Sequence, residues 1–152
     1  SGLSIALTDT FGSDFFFRDF QPDQARLWKG LRQDSGDPLA FGEKAIAFYE
    51  KLGIDPRTKT IVFSDGLDVQ TIVKIHERFK GRIGHIFGWG TNFGNDLGYK
   101  ALSIVMKATE ACGHPLVKLS DNLAKAIGPP DEIERYKRIF GYSGNTFQEC
   151  QY

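Results

Sequence analysis

A chain of 152 residues, 41% of them hydrophobic, is long enough for one domain, or one large piece of one, with a buried core. Nineteen basic side chains balance nineteen acidic ones, so net charge recruits neither nucleic acid nor an acidic membrane surface. No apolar run approaches the ~20 residues that span a bilayer, and two cysteines, Cys112 and Cys150, cannot build a disulfide framework or a zinc site, so both read as reduced thiols of a cytoplasmic protein.

Taken in chain order, Ser1 to Leu7 lacks the basic start and cleavage motif of a signal peptide. It has no initiator methionine and enters an apolar, β-compatible run at Leu3 to Leu7, which is how a fragment begins, although a processed chain would look similar. Thr8-Asp9-Thr10 follows as a polar loop. The cluster Phe15-Phe16-Phe17 with Phe20 predicts a helix capped by Ser13 or Asp14. Gly30 to Gln33 is the next strand, and it empties into Asp34-Ser35-Gly36-Asp37-Pro38, with Pro38 where a first helical turn tolerates it. Phe41, Ala45, Phe48 and Leu52 then recur at helical spacing until Gly53.

The pattern repeats. Thr60 to Phe63 reads as a strand, Ser64 to Asp68 as a loop, and Val69, Ile72, Val73 and His76 as one face of a helix ending near Gly81. Ile83 to Phe87 is a further strand, running into Gly88-Trp89-Gly90-Thr91-Asn92. Leu102 to Ala108 and Leu116 to Leu119 are expected to pair as strands joined at Cys112-Gly-His-Pro115. A closing helix spans about Pro130 to Phe140, with Ile133, Tyr136 and Phe140 inward, and the last dozen residues read as a loosely held, turn-rich tail.

Strands alternating with helices imply an α/β fold with parallel pairing through right-handed crossovers. Each polar loop follows the C-terminal end of a strand, which is the ligand face of α/β barrels and open sheets. Asp34-Ser35-Gly36-Asp37, preceded by Arg32, suits a phosphorylated, polyhydroxylated ligand: carboxylates accept from ribose hydroxyls or hold Mg²⁺, and arginine forks onto phosphate oxygens. Asp37 before Pro38 is equally a helix cap, as is Asp68 in the second loop. Gly88 to Asn92 could expose consecutive backbone N–H groups to an anion, or could be a glycine turn that relieves strain. His76 beside Glu77 is placed on the apolar helix face and read as a partly buried structural histidine. The histidines have no metal-ligand spacing, so no metal site is assigned.

Read together, several words resemble the bacterial-type nicotinate phosphoribosyltransferase family in its C-terminal portion. They are Ala6-Leu-Thr-Asp-Thr-Phe11, Leu31-Arg-Gln-Asp-Ser-Gly-Asp-Pro38, Tyr49-Glu-Lys-Leu-Gly-Ile-Asp-Pro56, Phe63-Ser-Asp-Gly-Leu-Asp68, Phe87-Gly-Trp-Gly-Thr-Asn92, Ile104-Val-Met-Lys-Ala-Thr-Glu110 and Lys118-Leu-Ser-Asp-Asn122. They occur in the family's order over nearly the whole chain. The resemblance implies part of an irregular, TIM-like α/β barrel of the type II phosphoribosyltransferase kind, residues 1–152 being the C-terminal portion of the barrel domain with its N-terminal part absent. It implies an enzyme of NAD biosynthesis that joins nicotinate to phosphoribosyl pyrophosphate, giving nicotinate mononucleotide and pyrophosphate with ATP hydrolysis, with Mg²⁺ accompanying the substrates. Carried over by matching words, Arg32, Asp34, Ser35, Asp65, Gly66, Gly90 and Thr91 would bind the phosphoribosyl group. Asp34 and Asp9 would be the catalytic carboxylates, Asp9 resembling the one that orients the family's phosphorylated histidine.

This sequence departs from the family pattern in two ways. The Gly-Thr-x-Ala-His-Glu segment that carries the phosphorylated histidine is not among these residues, and much of the nicotinate pocket lies with it upstream. Leu123-Ala124 stands where Pro-Gly is usual before Lys125, and Phe93-Gly94 where Leu-Thr is usual, so the resemblance leaves the role of Lys125 open. Part of a barrel leaves strand edges and apolar faces uncovered, so self-association or pairing with the N-terminal part is expected, with little activity from the chain alone. A non-catalytic sugar-phosphate-binding module and a nicotinamide or quinolinate phosphoribosyltransferase are the alternatives; no nucleic acid or membrane partner is expected.

Overall fold

The computed structural model describes residues 4–94, 98–99, 104–144 and 147. Four strands, β1 (Ile5–Leu7), β2 (Gly30–Gln33), β3 (Thr60–Phe63) and β4 (Gly84–Phe87), form one sheet in sequence order, each parallel to the next. The register aligns Ala6, Leu31, Ile61 and His85 in one row and Leu7, Arg32, Val62 and Ile86 in the next, and adjacent rows point to opposite faces. Ala6, Leu31 and Ile61 are buried beneath the helices. On the other face Leu7 and Ile86 stay exposed, at 40% and 56%, so the described residues cover only one side of the sheet.

The connections carry that cover. Helices α1 (Ser13–Asp19) and α2 (Pro22–Leu27) join β1 to β2, α3 (Pro38–Lys51) joins β2 to β3, and α4 (Val69–Phe79) joins β3 to β4. Their inward aromatics fill the core with Leu31 and Ile61: Phe41 and Tyr49 from α3, Phe79 from α4, and Phe20 from the turn after α1. Gly42 is required there, because a Cβ at that position would sit 2.2 Å from the Phe79 ring. Asp37 caps α3 by accepting from the Ala40 N–H at 2.8 Å, with Pro38 in the first turn, and Asp68 caps α4 through the Thr71 N–H at 2.7 Å.

Several expectations change. Strand β1 begins at Ile5, and Leu3 lies outside the described residues. Gly12, not Ser13 or Asp14, is the N-cap of α1, since Ser13 is already helical and its hydroxyl is committed to Asp121. Helix α2 has no counterpart in the sequence reading; its six residues are too few for periodicity, and it is started by Pro22 and a capping box between Gln21 and Gln24. On α4 the buried stripe is Ile75 and Phe79 with Ile72 half-buried, while Val69, Val73 and His76 face outward. Two apolar stripes run along this helix, and the larger side chains took the core.

The expected strand pair, 102–108 with 116–119, does not form among the described residues. Residues 104–109 have no regular structure, and the ladder forms instead around the segment read as the joint, β5 (Glu110–Ala111) against β6 (His114–Pro115), with exposed Cys112 at its tip. The apolar run finds no layer to bury it among the described residues, and Met106 is 94% exposed. Leu102 and Cys150 lie outside those residues, as does most of the tail. Helix α5 (Pro130–Phe140) has the predicted bounds, and Phe140 stacks on Phe11 with centroids 4.1 Å apart. Among the described residues no helix is long and apolar enough to cross a membrane.

Candidate functional site

Parallel strands place the ends of β1 to β4 along one edge, and the four loops that leave them carry Asp9, Asp34, Asp65 and Gly88–Asn92. A later segment lies across these loops. Lys118 bridges Ile127 in an isolated antiparallel pair, and the Leu119 N–H donates to the Thr10 carbonyl at 2.8 Å. Ser120 then adopts a left-handed conformation (φ 63°), which turns Asp121 back toward Ser13.

The crossing segment brings two lysines onto three carboxylates. Lys118 Nζ lies 3.2 Å from Asp9 Oδ1 and 3.1 Å from Asp34 Oδ2. Lys125 Nζ donates to the Asp34 carbonyl at 2.9 Å and to the Asp65 carboxylate. Arg32 completes the set: its Nη2 donates to Asp34 Oδ1 at 2.8 Å and its Nε to Ser64 Oγ at 2.9 Å. Asp9 is fully buried, and a buried carboxylate needs partners. Its Oδ2 accepts from Ser35 Oγ at 2.7 Å and lies 3.0 Å from Ser120 Oγ. Its Oδ1 accepts no hydrogen bond among the described residues; the approach of Lys118 is a charge contact without hydrogen-bond alignment.

These groups surround a cleft of about 670 Å³. Arg32, Asp34, Asp65, Gly66, Gly90 and Thr91 line it, as expected residues brought together from three loops. Lys107, Lys118 and Lys125 add positive charge, and Ile104 and Val105 add an apolar wall. The Gly88 N–H donates to the Phe63 carbonyl at 2.8 Å, and the Phe93 N–H to the Gly90 carbonyl at 2.9 Å, so the glycine loop closes as a turn at the rim. Ser35 and Asp9 do not line the cleft. Ser35 is 3% exposed and lines a separate, smaller cavity, and Asp9 is fully buried, so neither side chain is part of the cleft wall.

Sequence reasoning left out the roles of Lys118, Lys125 and Ser120. Lys118-Leu-Ser-Asp-Asn122 was visible as a word, but only folding shows that its lysine reaches residues more than eighty positions away. His76 Nδ1 lies 3.0 Å from His85 Nε2 in a separate cavity, away from these loops. Among the described residues, no three His, Cys, Asp or Glu side chains are grouped so that they could hold a metal ion.

Residues 1–144 match the model of the nicotinate phosphoribosyltransferase (NAPRTase) family. The chain belongs to that family. Solved nicotinate phosphoribosyltransferases share its fold. The structure from Vibrio cholerae is 41% identical with a TM-score of 0.88, over 95% of this chain and 37% of its own. That from Porphyromonas gingivalis is 44% identical with a TM-score of 0.83, over 91% of this chain and 38% of its own. A Saccharomyces cerevisiae structure is 37% identical with a TM-score of 0.82. The chain therefore spans little more than a third of the length of each relative, and its α/β fold with a parallel sheet matches part of those structures.

Proposed function

We propose that the chain is the C-terminal portion of a nicotinate phosphoribosyltransferase, which joins nicotinate to phosphoribosyl pyrophosphate with ATP hydrolysis in NAD biosynthesis, and that it carries the phosphoribosyl-binding loops. The observation that carries this is the convergence of Arg32, Asp34, Asp65, Lys118 and Lys125 on one cleft at the C-terminal edge of a parallel sheet, in a chain of this family.

The reaction builds positive charge at the ribose carbon as pyrophosphate leaves. A catalyst must therefore neutralise the leaving group and hold negative charge beside the sugar. Arg32, Lys118 and Lys125 supply the first, in fixed positions that need little reorganisation. Asp34 supplies the second, with its carboxylate within reach of ribose hydroxyls. Gly90 and Thr91 offer backbone N–H groups and a hydroxyl to the 5′-phosphate. Asp9, buried with one oxygen accepting no hydrogen bond among the described residues, suits a donor such as the histidine that the resemblance puts upstream. Mg²⁺ fits the donor set as a passenger of the substrate: it takes one or two carboxylates plus phosphate oxygens, which Asp34 and Asp65 can provide without a dedicated cage. Bound there, it would screen the charge of the diphosphate.

The uncovered sheet face, with Leu7, Val62 and Ile86 in one row, is the inner wall of the barrel in this reading, and the remaining strands complete it. The chain alone would self-associate or pair with the N-terminal part in the cytoplasm, and would turn over little because it lacks the phosphorylated histidine. Calorimetric titration with phosphoribosyl pyrophosphate and Mg²⁺ tests the site. Binding that Asp34→Ala weakens at least about tenfold is expected, a difference of about 1.4 kcal/mol. No binding, whether alone or mixed with the N-terminal part, would sink the reading. Binding with no pyrophosphate release from that mixture would favour a non-catalytic module.

A further inference from the structure

A second cavity, of about 290 Å³, is lined by Asp121 with Ser13, Ser35 and Tyr142, none of which lines the cleft. The Asp121 carboxylate does not reach the cleft. Asp121 Oδ1 accepts the Ser13 backbone N–H at 2.7 Å, and Oδ2 accepts the Ser13 hydroxyl. The Asp121 N–H in turn donates to Ser35 Oγ at 3.2 Å, and that same hydroxyl donates to Asp9. Ser120, the residue before, is held in a left-handed conformation that non-glycine residues seldom adopt. Tyr142 pins it from the other side, its hydroxyl donating to the Ser120 carbonyl at 2.6 Å. Two residues before Ser120 is Lys118, the bridge between Asp9 and Asp34.

We propose that Asp121 is a positioning residue of this site: by gripping Ser13 it fixes the left-handed turn at Ser120, and so sets where Lys118 meets Asp9 and Asp34. The role is that of a geometric acceptor rather than a charge. Burial pushes the Asp121 carboxyl above its ordinary range, Ser13 opposes that shift, and the neighbouring Asp9 adds to it. Lys125 is the internal comparison: it shares Asp34 with Lys118, through the backbone carbonyl, but its ion pair is with Asp65, whereas those of Lys118 are with Asp9 and Asp34.

The test is lysine acylation of the unliganded chain, read residue by residue by mass spectrometry. Asp121→Ala should raise the labelling rate of Lys118 several-fold and that of Lys125 by much less. Asp121→Asn should restore the wild-type rate, since an amide still accepts the Ser13 N–H and its NH₂ can donate to the Ser13 hydroxyl. Unchanged Lys118 labelling in folded Asp121→Ala, or an Asn variant as disruptive as Ala, overturns the proposal. Should Asp121→Ala fail to fold, Ser13→Ala removes one of the two grips, and the absence of any rise at Lys118 is equally fatal. The consequence for substrate rests on the phosphoribosyl reading, where Asp121→Ala should weaken phosphoribosyl pyrophosphate several-fold and Asp121→Asn should not. The labelling does not rest on it, so a freed Lys118 in a chain that binds no ligand, either alone or with the N-terminal part, would sink that reading and keep this one.

Discussion

Residues 5–87 and residues 118–127 build the same cleft by different means. The first region is a parallel sheet under helices, held by a continuous backbone ladder and by an interior of Leu31, Tyr49, Ile61, Phe63, Ile75 and Phe79, each fully buried. The second has isolated bridges, such as Lys118 with Ile127, and a 3-10 turn at Leu123–Lys125, and Leu119 is its one fully buried apolar side chain among the described residues. Its place is set by side chains: Lys118, Ser120, Asp121 and Lys125 against the loops of the first. Stability is thus spread through the scaffold, whereas the geometry of the charged groups depends on a few polar contacts. Core substitutions should melt the fold, and cleft substitutions should change ligand affinity with little effect on melting.

The strongest way to break that contrast is Phe63→Ala. Phe63 is fully buried, with the Phe79 ring at 5.8 Å and the Phe87 ring at 6.2 Å between centroids. Removing it should cost about 3–5 kcal/mol in denaturant unfolding; a cost below about 1 kcal/mol would mean the sheet interior is not what holds the scaffold. Asp34→Ala should do the reverse. It takes a partner from both Arg32 and Lys118, so ligand affinity falls, yet these groups are partly exposed and stability should shift by less than about 1 kcal/mol.

Two smaller effects sharpen the comparison inside the scaffold. Asp37→Ala removes the cap of α3 and should cost about 1 kcal/mol, and calorimetry should find ligand binding unchanged, although Asp37 is only three residues from Asp34. The smallest effect is one of pH. Hydrogen bonding to Arg82, supported by Arg78, holds the Glu43 carboxyl down at about 2 against an ordinary value of 4.5. Its contribution is therefore present above pH 4.5 and is lost as pH falls toward 2. Because Glu43 is more than a third exposed, that contribution should stay below about 1 kcal/mol. Glu43→Gln should be slightly less stable than the wild-type chain at pH 7, and the gap should close in acid; a gap that widens in acid would reverse the sign.

The scaffold was largely legible in advance, the crossing segment hardly at all. Strands Gly30–Gln33 and Thr60–Phe63 and helix Pro130–Phe140 have their expected bounds, because short apolar runs ended by Asp-Ser-Gly or Ser-Asp-Gly loops, and a proline start before spaced aromatics, are local signals. Asp37 and Asp68 cap as read for the same reason. On α4, periodicity identified a helix but offered two apolar stripes, and packing against β3 and β4 chose Ile75 and Phe79 over Val69 and His76. The strand pair failed because apolar alternation at 102–108 records a tendency to pair but not the presence of a layer to cover it.

For the site, the residue types and their loops could be read from the chain, and Arg32, Asp34, Asp65, Gly66, Gly90 and Thr91 do line one cleft. What the sequence by itself determined was therefore the parallel strands of the sheet with α3, α4 and α5, the caps of α3 and α4, the family, and which loops carry charge. All of these are properties of neighbouring residues, where a side chain's choices are set within a turn or two. Only the tertiary structure decided that Lys118 and Lys125 sit among those carboxylates, that Asp9 and Ser35 are not part of the cleft wall, and that His76 faces outward. Those outcomes depend on contacts such as Lys118 with Asp34 and Ser120 with Asp9, across separations of 84 and 111 residues. No local pattern encodes such contacts, because they form only once the sheet has brought the loops to one edge.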